Sequence, residues 1–422
     1  MTLTRDDAMT RDAQDALARF RDEFVFAEAE EALIYLDGNS LGRLPKRTQA
    51  VLRDVVDRQW GERLIRSWNE GWFTAAGRIG DKVAQLVGAG PGEVVMADST
   101  SVNLFKLVVA ALRSQPGRAR IVTDDLNFPS DLYILQGAID LLGGQHELVV
   151  VRSRDGMTVG LDELAAVVDE RTALVTLSAV VFKSGFMYDM AAVNALARQA
   201  GALTLWDLSH AVGAVEIDLA ESGADLAVGC TYKYLNGGPG APAFLWVRPG
   251  LQGQLQNPVS GWFGQRDPFA FGLDYIPTPG VNRFLTGTPP VLSLLAVEAG
   301  VDLLLEAGMA ALRAKSVAQT EYLIALWEQK LAALGFRLNT PIDAAQRGSH
   351  VSLGHEDGLA IDLALIVRRQ VLPDFRAPES IRLGIAPIYT RYVEIFDAVD
   401  RMAEVVRTGE FRAYRNTRPA VS

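Results

Sequence analysis

At 422 residues, 49% hydrophobic and 22% charged, the chain has room for two domains, or for one large domain with a smaller appendage, and the balance of an ordinary soluble globular protein. Its formal net charge of −10 disfavours nucleic acid and anionic membranes as partners, and no uncharged apolar run approaches the length of a bilayer span. The lone cysteine, Cys230, excludes an internal disulfide framework and fits a reducing, cytoplasmic compartment. The polar, acidic start MTLTRDDAMTRDAQD is not a secretory signal peptide. Four scattered histidines (His146, His210, His350 and His355) and one cysteine offer no metal site.

Taken in order, residues 5–30 predict a polar helix leading to a short strand at Ile34-Tyr35-Leu36. The run Asp37-Gly38-Asn39-Ser40-Leu41-Gly42 is too rich in turn formers to be a core element; it reads either as a connector or as a loop that closes over a ligand. Helical spacing of Val51, Leu52, Val55 and Val56 predicts a helix over 47–60. Ser67-Trp68-Asn69-Glu70-Gly71-Trp72-Phe73 gathers three aromatics, either as core or as a wall for a flat ring. At Asp98-Ser99-Thr100-Ser101, three hydroxyl-bearing residues among four open a helix over Leu104–Leu112. They are capping residues and, with the free N–H groups of a helix start, a phosphate site.

From there strands and helices alternate. The strand candidates are Ile121–Thr123, Leu148–Val151, Leu174–Leu177, Leu203–Trp206, Leu226–Cys230 and Ala243–Val247, with helices such as Leu161–Val168 and Met190–Ala200 between them. This alternation predicts a mainly parallel sheet flanked by helices. Asn127-Phe128-Pro129-Ser130-Asp131 follows the first of these strands. Phe128 is suited to stack on a ring and Asp131 to add negative charge beside it; the plainer reading is a turn. Asp207 and His210 end one apolar run, and Tyr232 and Lys233 end the next, ahead of the Gly-rich Asn236–Gly240. Ligands in parallel sheets lie at the carboxyl ends of strands. A lysine and a carboxylate at neighbouring strand ends suit pyridoxal phosphate (PLP): the amine makes the Schiff base and the acid keeps the ring nitrogen charged.

The irregular segment 257–290 carries Gly261-Trp262-Phe263-Gly264 and Gly287-Thr288-Pro289-Pro290, the mark of functional loops. A long helix over Val291–Leu312 and another near Thr320–Leu334 lead to an alternating tail: Phe336–Asn339, His350–Leu353, a helix near Ile361–Arg369, Ser380–Gly384 and a last helix near Tyr392–Val406. Residues 1–46 are assigned to an N-terminal segment joining the small domain, 47–300 to a large PLP-binding domain, and 301–422 to a small α+β domain. In Ile381-Arg382-Leu383-Gly384 an arginine sits where it can bind a carboxylate in bidentate fashion.

With these residues assembled, the chain resembles the kynureninases, fold-type I PLP enzymes of the aspartate aminotransferase-like fold. The likeness runs from Gly38-Asn39-Ser40-Leu41-Gly42 to Arg382. Its most specific pieces are the Phe128–Asp131 loop, Asp207-Leu208-Ser209-His210-Ala211-Val212-Gly213, Tyr232-Lys233-Tyr234-Leu235-Asn236 and Gly261-Trp262-Phe263-Gly264; Ile65-Arg66-Ser67-Trp68-Asn69 looks like the bacterial branch. The resemblance implies a seven-stranded, mainly parallel sheet plus the smaller α+β domain. It implies that Lys233 forms the Schiff base with PLP, that Asp207, with Asp131 nearby, faces the pyridine nitrogen, and that Phe128 stacks on the ring. Thr100, Ser101, Ser130, Ser178, His210, Tyr232, Trp262 and Thr288 match cofactor-holding positions, and Arg382, Asn39, Ser40 and Trp72 substrate-binding ones. Lys233, Tyr232 and Asp207 match the catalytic residues. The implied reaction is hydrolysis of L-kynurenine to anthranilate and L-alanine in tryptophan catabolism, in a homodimer with sites at the interface, so that Trp262 and Thr288 arrive from the partner chain. Phe182 stands where bacterial relatives often have Tyr, and Thr288 where the animal branch has Asn. The latter, with the Trp68–Trp72 segment, favours kynurenine over 3-hydroxykynurenine.

Two other readings compete. A desulfurase of the same fold needs a mobile catalytic cysteine, whereas Cys230 ends a strand. A non-catalytic PLP-binding regulator would be expected to carry a DNA-binding domain and a basic patch.

Overall fold

A computed structural model describes residues 2–26 and 33–417. Its centre is a seven-stranded sheet in the spatial order Val94–Ala97, Ala243–Val247, Leu226–Gly229, Leu203–Asp207, Thr172–Ser178, Arg120–Asp124, Glu147–Val151. The last five of these strands are mutually parallel, and only Ala243–Val247 runs against its neighbours. This is the fold-type I architecture. The inner strands are buried at every position from Thr172 to Ser178 and from Leu203 to Asp207, because helices cover both faces of a parallel sheet. That is why they read as mostly apolar runs rather than as a strict alternation of apolar and polar residues.

The six predicted strands all form, and Val94–Ala97 supplies the seventh. A four-residue run ending at Asp98 is too short for periodicity to separate from a turn. Other boundaries move for identifiable reasons. The helix predicted over Val291–Leu312 divides into Val291–Ala307 and Met309–Leu326 at Gly308, whose φ of 81° no right-handed helix allows. The predicted start at Thr320 falls inside the second of these helices, which continues through a wide turn at Trp327–Leu331. The helix expected over 47–60 is regular only for Lys46–Asp54 and widens to π-helical turns over Val55–Arg63. The expected N-terminal helix is limited to Arg5–Ala13, with a 3₁₀ turn at Ala18–Glu23; residues 27–30 of that expectation lie outside the described residues.

Two hydrophobic cores result. The larger one lies under the seven-stranded sheet. The smaller gathers Ala8, Ile34 and Leu36 with residues from Tyr322 to Phe411, around a four-stranded antiparallel sheet of Asp374–Arg376, Ser380–Gly384, His350–Gly354 and Arg337–Leu338. The N-terminal segment is tied to this second core by charge. Asp12 accepts hydrogen bonds from the N–H groups of Tyr392 and Val393 at 2.6 and 3.0 Å, satisfying orphan donors at the start of the helix Tyr392–Thr408. Lys315 and Asp15 form a buried pair at 2.7 Å. The chain's first residues therefore place the Asp37–Gly42 loop between the two cores, over the carboxyl ends of the sheet.

Candidate active site

Strand register puts Ser178 and Asp207 side by side as Cα partners, with Val228 on the far side of Asp207. The Asp207 Oδ1 accepts hydrogen bonds from the N–H and hydroxyl of Ser209, at 2.9 and 2.6 Å. The Ser209 hydroxyl in turn accepts the Cys230 N–H at 3.1 Å, which binds this loop to the next strand end. Lys233 follows in a tight turn in which Asn236 takes a φ of 55° and donates its N–H to the Lys233 carbonyl at 2.9 Å. The lysine Nζ and His210 Nε2 are 2.8 Å apart. Gly42 donates its N–H to the Tyr232 carbonyl at 2.8 Å. A Cβ there would lie 2.3 Å from the Lys233 carbonyl oxygen, so only glycine lets the N-terminal loop close onto this turn.

Opposite these groups is the start of the helix Thr100–Ser114. Ser99 caps it by accepting the Val102 N–H, and the hydroxyls of Ser101 and Ser130 lie 3.1 Å apart. Phe128 precedes Pro129, the first residue of the next helix, and meets Phe182 edge-on at 5.3 Å. Across the pocket Arg382 is almost completely buried. Its Nε donates to Asp374 Oδ1 at 2.6 Å and its Nη2 to Asp374 Oδ2, while Nη2 also reaches the Ser40 hydroxyl at 3.0 Å. Nη1 donates to the Phe182 carbonyl at 2.5 Å.

One cavity is lined by Asn39, Ser40, Thr100, Ser101, Phe128, Ser130, Asp131, Ser178, Asp207, His210, Tyr232, Lys233 and Arg382, joined by Phe182, Ser209 and Arg376. Three residues expected at the site are elsewhere in the same chain. Trp72 donates from its indole to Gln59 Oε1 at 2.6 Å in a separate crevice. Trp262 belongs to the irregular 260–275 loop and Thr288 to a cleft beside Asp98.

The charges are arranged around an acceptor of positive charge. Burial pushes the Asp207 carboxyl up while the Lys233 ammonium pulls it down. Burial and then the neighbouring Asp207 charge push Asp131 well above the usual carboxylate range. Burial, helped by Lys233 and Arg382, holds His210 well below the usual imidazole value, so it faces the lysine as a neutral ring. Burial also raises the Tyr232 phenol, which therefore keeps its proton at neutral pH. Two buried acids beside a single lysine suit a cationic pyridinium ring. A helix start with hydroxyls from Thr100, Ser101, Ser130 and Ser178 suits a phosphate. Buried polar atoms without partners remain at the cavity wall, the His210 Nδ1 and both amide atoms of Asn39. The residues fit PLP with an amino-acid substrate.

The Kynureninase C-terminal domain family matches residues 312–402. The chain is 47% identical over 408 residues to a kynureninase of Pseudomonas fluorescens, covering 96% of this chain and 95% of that one. The chain belongs to the kynureninase family. It is also 44% identical over 415 residues to a kynureninase of Burkholderia pseudomallei strain 1106a, covering 97% of each chain. Kynureninases are PLP-dependent hydrolases acting on C–C bonds, and PLP is the cofactor of this chain. Among solved structures, a cysteine desulfurase of Thermococcus onnurineus superposes with a TM-score of 0.78 at 18% identity, over 92% of this chain and 98% of that one. A mutant of the protein C-DES, described with glycine covalently linked to the PLP cofactor, also reaches 0.78 at 18% identity, over 91% and 99%. At that identity the two neighbours share the fold.

Arg376, Ser209 and Asp374 escape sequence reasoning. Ser209 stands inside the Asp207–Gly213 motif, in the Asp-x-Ser spacing of a side chain that hydrogen-bonds its own loop. Asp374-Phe375-Arg376 carries the only other signal, an acid and a base on one face of a short strand.

Proposed function

We propose that this kynureninase-family chain hydrolyses L-kynurenine to anthranilate and L-alanine in the pocket around Lys233, with kynurenine preferred to its 3-hydroxy form. The observation that carries the reading is the approach of Lys233 Nζ to His210 in a cavity also lined by the buried acids Asp131 and Asp207 and the buried Arg382. Thr100, Ser101, Ser130 and Ser178 would hold the phosphate, Phe128 the ring face, and Asp207 with Asp131 the ring nitrogen. PLP, once bound, supplies an electron-accepting ring for the bonding pair released at the substrate's Cα and Cβ.

The chain's own groups do the rest. Lys233 Nζ takes the proton from the substrate Cα, and His210, neutral through burial, accepts from the ammonium without adding a competing charge. Tyr232, protonated at neutral pH, donates to the γ-carbonyl oxygen as water adds there. The fork of Arg382 is taken by Asp374, so this arginine is locked in place rather than free to offer a bidentate grip. The substrate α-carboxylate would meet the outer N–H of Nη1, the Asn39 amide and, at the pocket edge, Arg376.

The working unit is a homodimer. Phe269, Phe271 and Leu273 are 60, 75 and 102% exposed, next to Trp262, a patch too apolar to face water alone. A partner seated there would explain why Trp262, Thr288 and Trp72 stand away from their own chain's pocket. The cytoplasm is the proposed compartment, since the one cysteine is buried and unpaired. The cofactor domain runs from residue 47 through the helix Val291–Ala307, whose Val301, Leu303 and Leu304 pack in the larger core, and the small domain is built mainly from the residues that follow it.

The test is anthranilate release, followed by its fluorescence, together with the visible absorbance of the PLP-loaded protein. Wild type should show both, and Lys233→Ala should release no anthranilate and lose the wild-type absorbance band. A Lys233→Ala protein that still released anthranilate at the wild-type rate would refute the assignment.

A further inference from the structure

The seven-stranded sheet opens between Arg120–Asp124 and Thr172–Ser178. Backbone partners along this seam stop at Val122 and Val175, while each strand stays paired to its outer neighbour as far as Asp124 with Val151 and Ser178 with Asp207. Such a splay makes the crevice in which ligands of parallel sheets lie. It also leaves the Thr176 carbonyl and the Ser178 N–H facing the gap without a strand to bond. Buried backbone groups must find partners elsewhere.

They find the side chain of Asn127. This residue is 3% exposed. Its Nδ2 donates to the Thr176 carbonyl at 3.2 Å and to the Thr123 hydroxyl at 2.6 Å, and its Oδ1 accepts the Ser178 N–H at 2.6 Å. In a parallel ladder, one residue donates to the carbonyl before its opposite number and accepts from the N–H after it. The Asn127 amide makes the same two bonds around Leu177 and so stands in for a strand residue across the open seam. Its own backbone is fixed as well. Asp124 Oδ1 accepts the N–H groups of Leu126 and Asn127 at 2.8 and 2.7 Å, and Asp124 Oδ2 accepts from the Tyr188 hydroxyl. The residue after Asn127 is Phe128, and the residue it bonds across the gap is Ser178; both line the pocket.

We propose that Asn127 is a positioning residue that sets the width of the crevice, fixing the Phe128–Asp131 loop against Ser178 at the separation the cofactor requires. The inference rests on reading that pocket as the PLP site. Its chemistry calls for both halves of an amide. Aspartate keeps the acceptor for Ser178 but turns a carboxylate oxygen toward the Thr176 carbonyl, and alanine leaves all three partners unbonded.

The experiment compares wild type, Asn127→Ala and Asn127→Asp by hydrogen exchange at the Ser178 amide in the cofactor-free protein, by the Kd for PLP, and by the visible circular dichroism of bound cofactor. The dichroism reports how the ring is set, which a loss of stability elsewhere would not move. Both variants should weaken PLP roughly tenfold or more, the scale of a buried hydrogen bond lost with its partners stranded. Ser178 should exchange faster in Asn127→Ala, and the dichroism should change in both variants. Wild-type affinity together with wild-type Ser178 protection in Asn127→Ala overturns the proposal. Should both variants fail to fold, Thr123→Val removes only one acceptor, and an unchanged PLP affinity there overturns it too. If wild type itself fails to bind PLP, the pocket reading falls. The Ser178 exchange, measured without cofactor, still decides the role of Asn127 on its own: slow in wild type and fast in Asn127→Ala supports it, and equal rates overturn it.

Discussion

Gly384→Ala tests the substrate side of the pocket with a single methyl group. A Cβ on Gly384 would lie 1.7 Å from Asn39 Oδ1 and 2.5 Å from its Cγ, while ordinary van der Waals contact begins at 3.4 Å. The Asn39 amide must therefore withdraw by about 1.5–2 Å, far more than a packed wall can absorb by small shifts. The backbone offers no easy alternative, because Gly384 is held on both sides: its N–H donates to the Leu36 carbonyl at 2.6 Å, and it pairs with His350 in the small sheet. Asn39 is fully buried with neither amide atom bonded within the protein. If it donates to the substrate carboxylate, its displacement removes a hydrogen bond to a charged group, worth about 1.5–3 kcal/mol. That corresponds to a fall of roughly 10- to 150-fold in kcat/KM. The loss should appear mainly in KM, with the PLP absorbance retained. The assay is initial-rate anthranilate release for Gly384→Ala, Asn39→Ala and the double variant. Because one change acts through the other residue, the double variant should be no worse than Asn39→Ala alone, and its Tm should exceed that of Gly384→Ala, whose clash it relieves. Additive losses in kcat/KM, or a wild-type KM in Gly384→Ala, would refute the reasoning.

Three further outcomes are expected. Tyr232→Phe should keep PLP binding but lower kcat by roughly 10²- to 10⁴-fold, the range of a lost general acid; stopped-flow anthranilate release measures this, and an unchanged kcat would remove the phenol from the mechanism. Asp362 is buried with both oxygens unbonded, and burial, with Asp374 and Asp37 nearby, pushes its carboxyl up to about 8. The folded state therefore holds a proton that the unfolded state releases at its ordinary, lower value, so this group's contribution to stability is present at low pH and is lost as pH rises from about 4 to about 8, by at most about 1.4 kcal/mol per pH unit. Asp362→Asn should flatten the decline of Tm across that window, and an identical slope in both proteins would contradict it. Introducing charge by Phe271→Glu with Leu273→Glu should convert dimers to monomers in analytical ultracentrifugation and abolish anthranilate release; a fully active monomer would show that each pocket is complete within one chain.

How much of this was legible from the amino acids alone follows from what each feature depends on. The parallel sheet was, because Leu203–Trp206 and Thr172–Ser178 are buried on both faces and so carry mostly apolar runs broken only by Thr and Ser. So was the meeting of Asp207, His210, Tyr232 and Lys233 in one cavity, since they lie in two short stretches whose order and turn residues survive without coordinates. The kink at Gly308 was missed because a glycine in a helical pattern does not announce its φ.

What remained hidden depends on meetings between distant segments. Arg382 was marked by the sequence as a candidate carboxylate binder, but its partners were not legible. Ser40 reaches it from 342 positions away, and Asp374 takes the fork that an isolated arginine would offer to substrate. Asn39 becomes an unpartnered amide only because Gly384 leaves the space for it, and Asn127 becomes part of a sheet only where two strands part. Sequence determined which residue types were available at the strand ends and the period that built the strands. Tertiary structure decided which donors were already spent and which were left facing the pocket, because hydrogen-bond capacity is shared among whatever the fold brings within about 3 Å, and that neighbourhood is set by long-range packing.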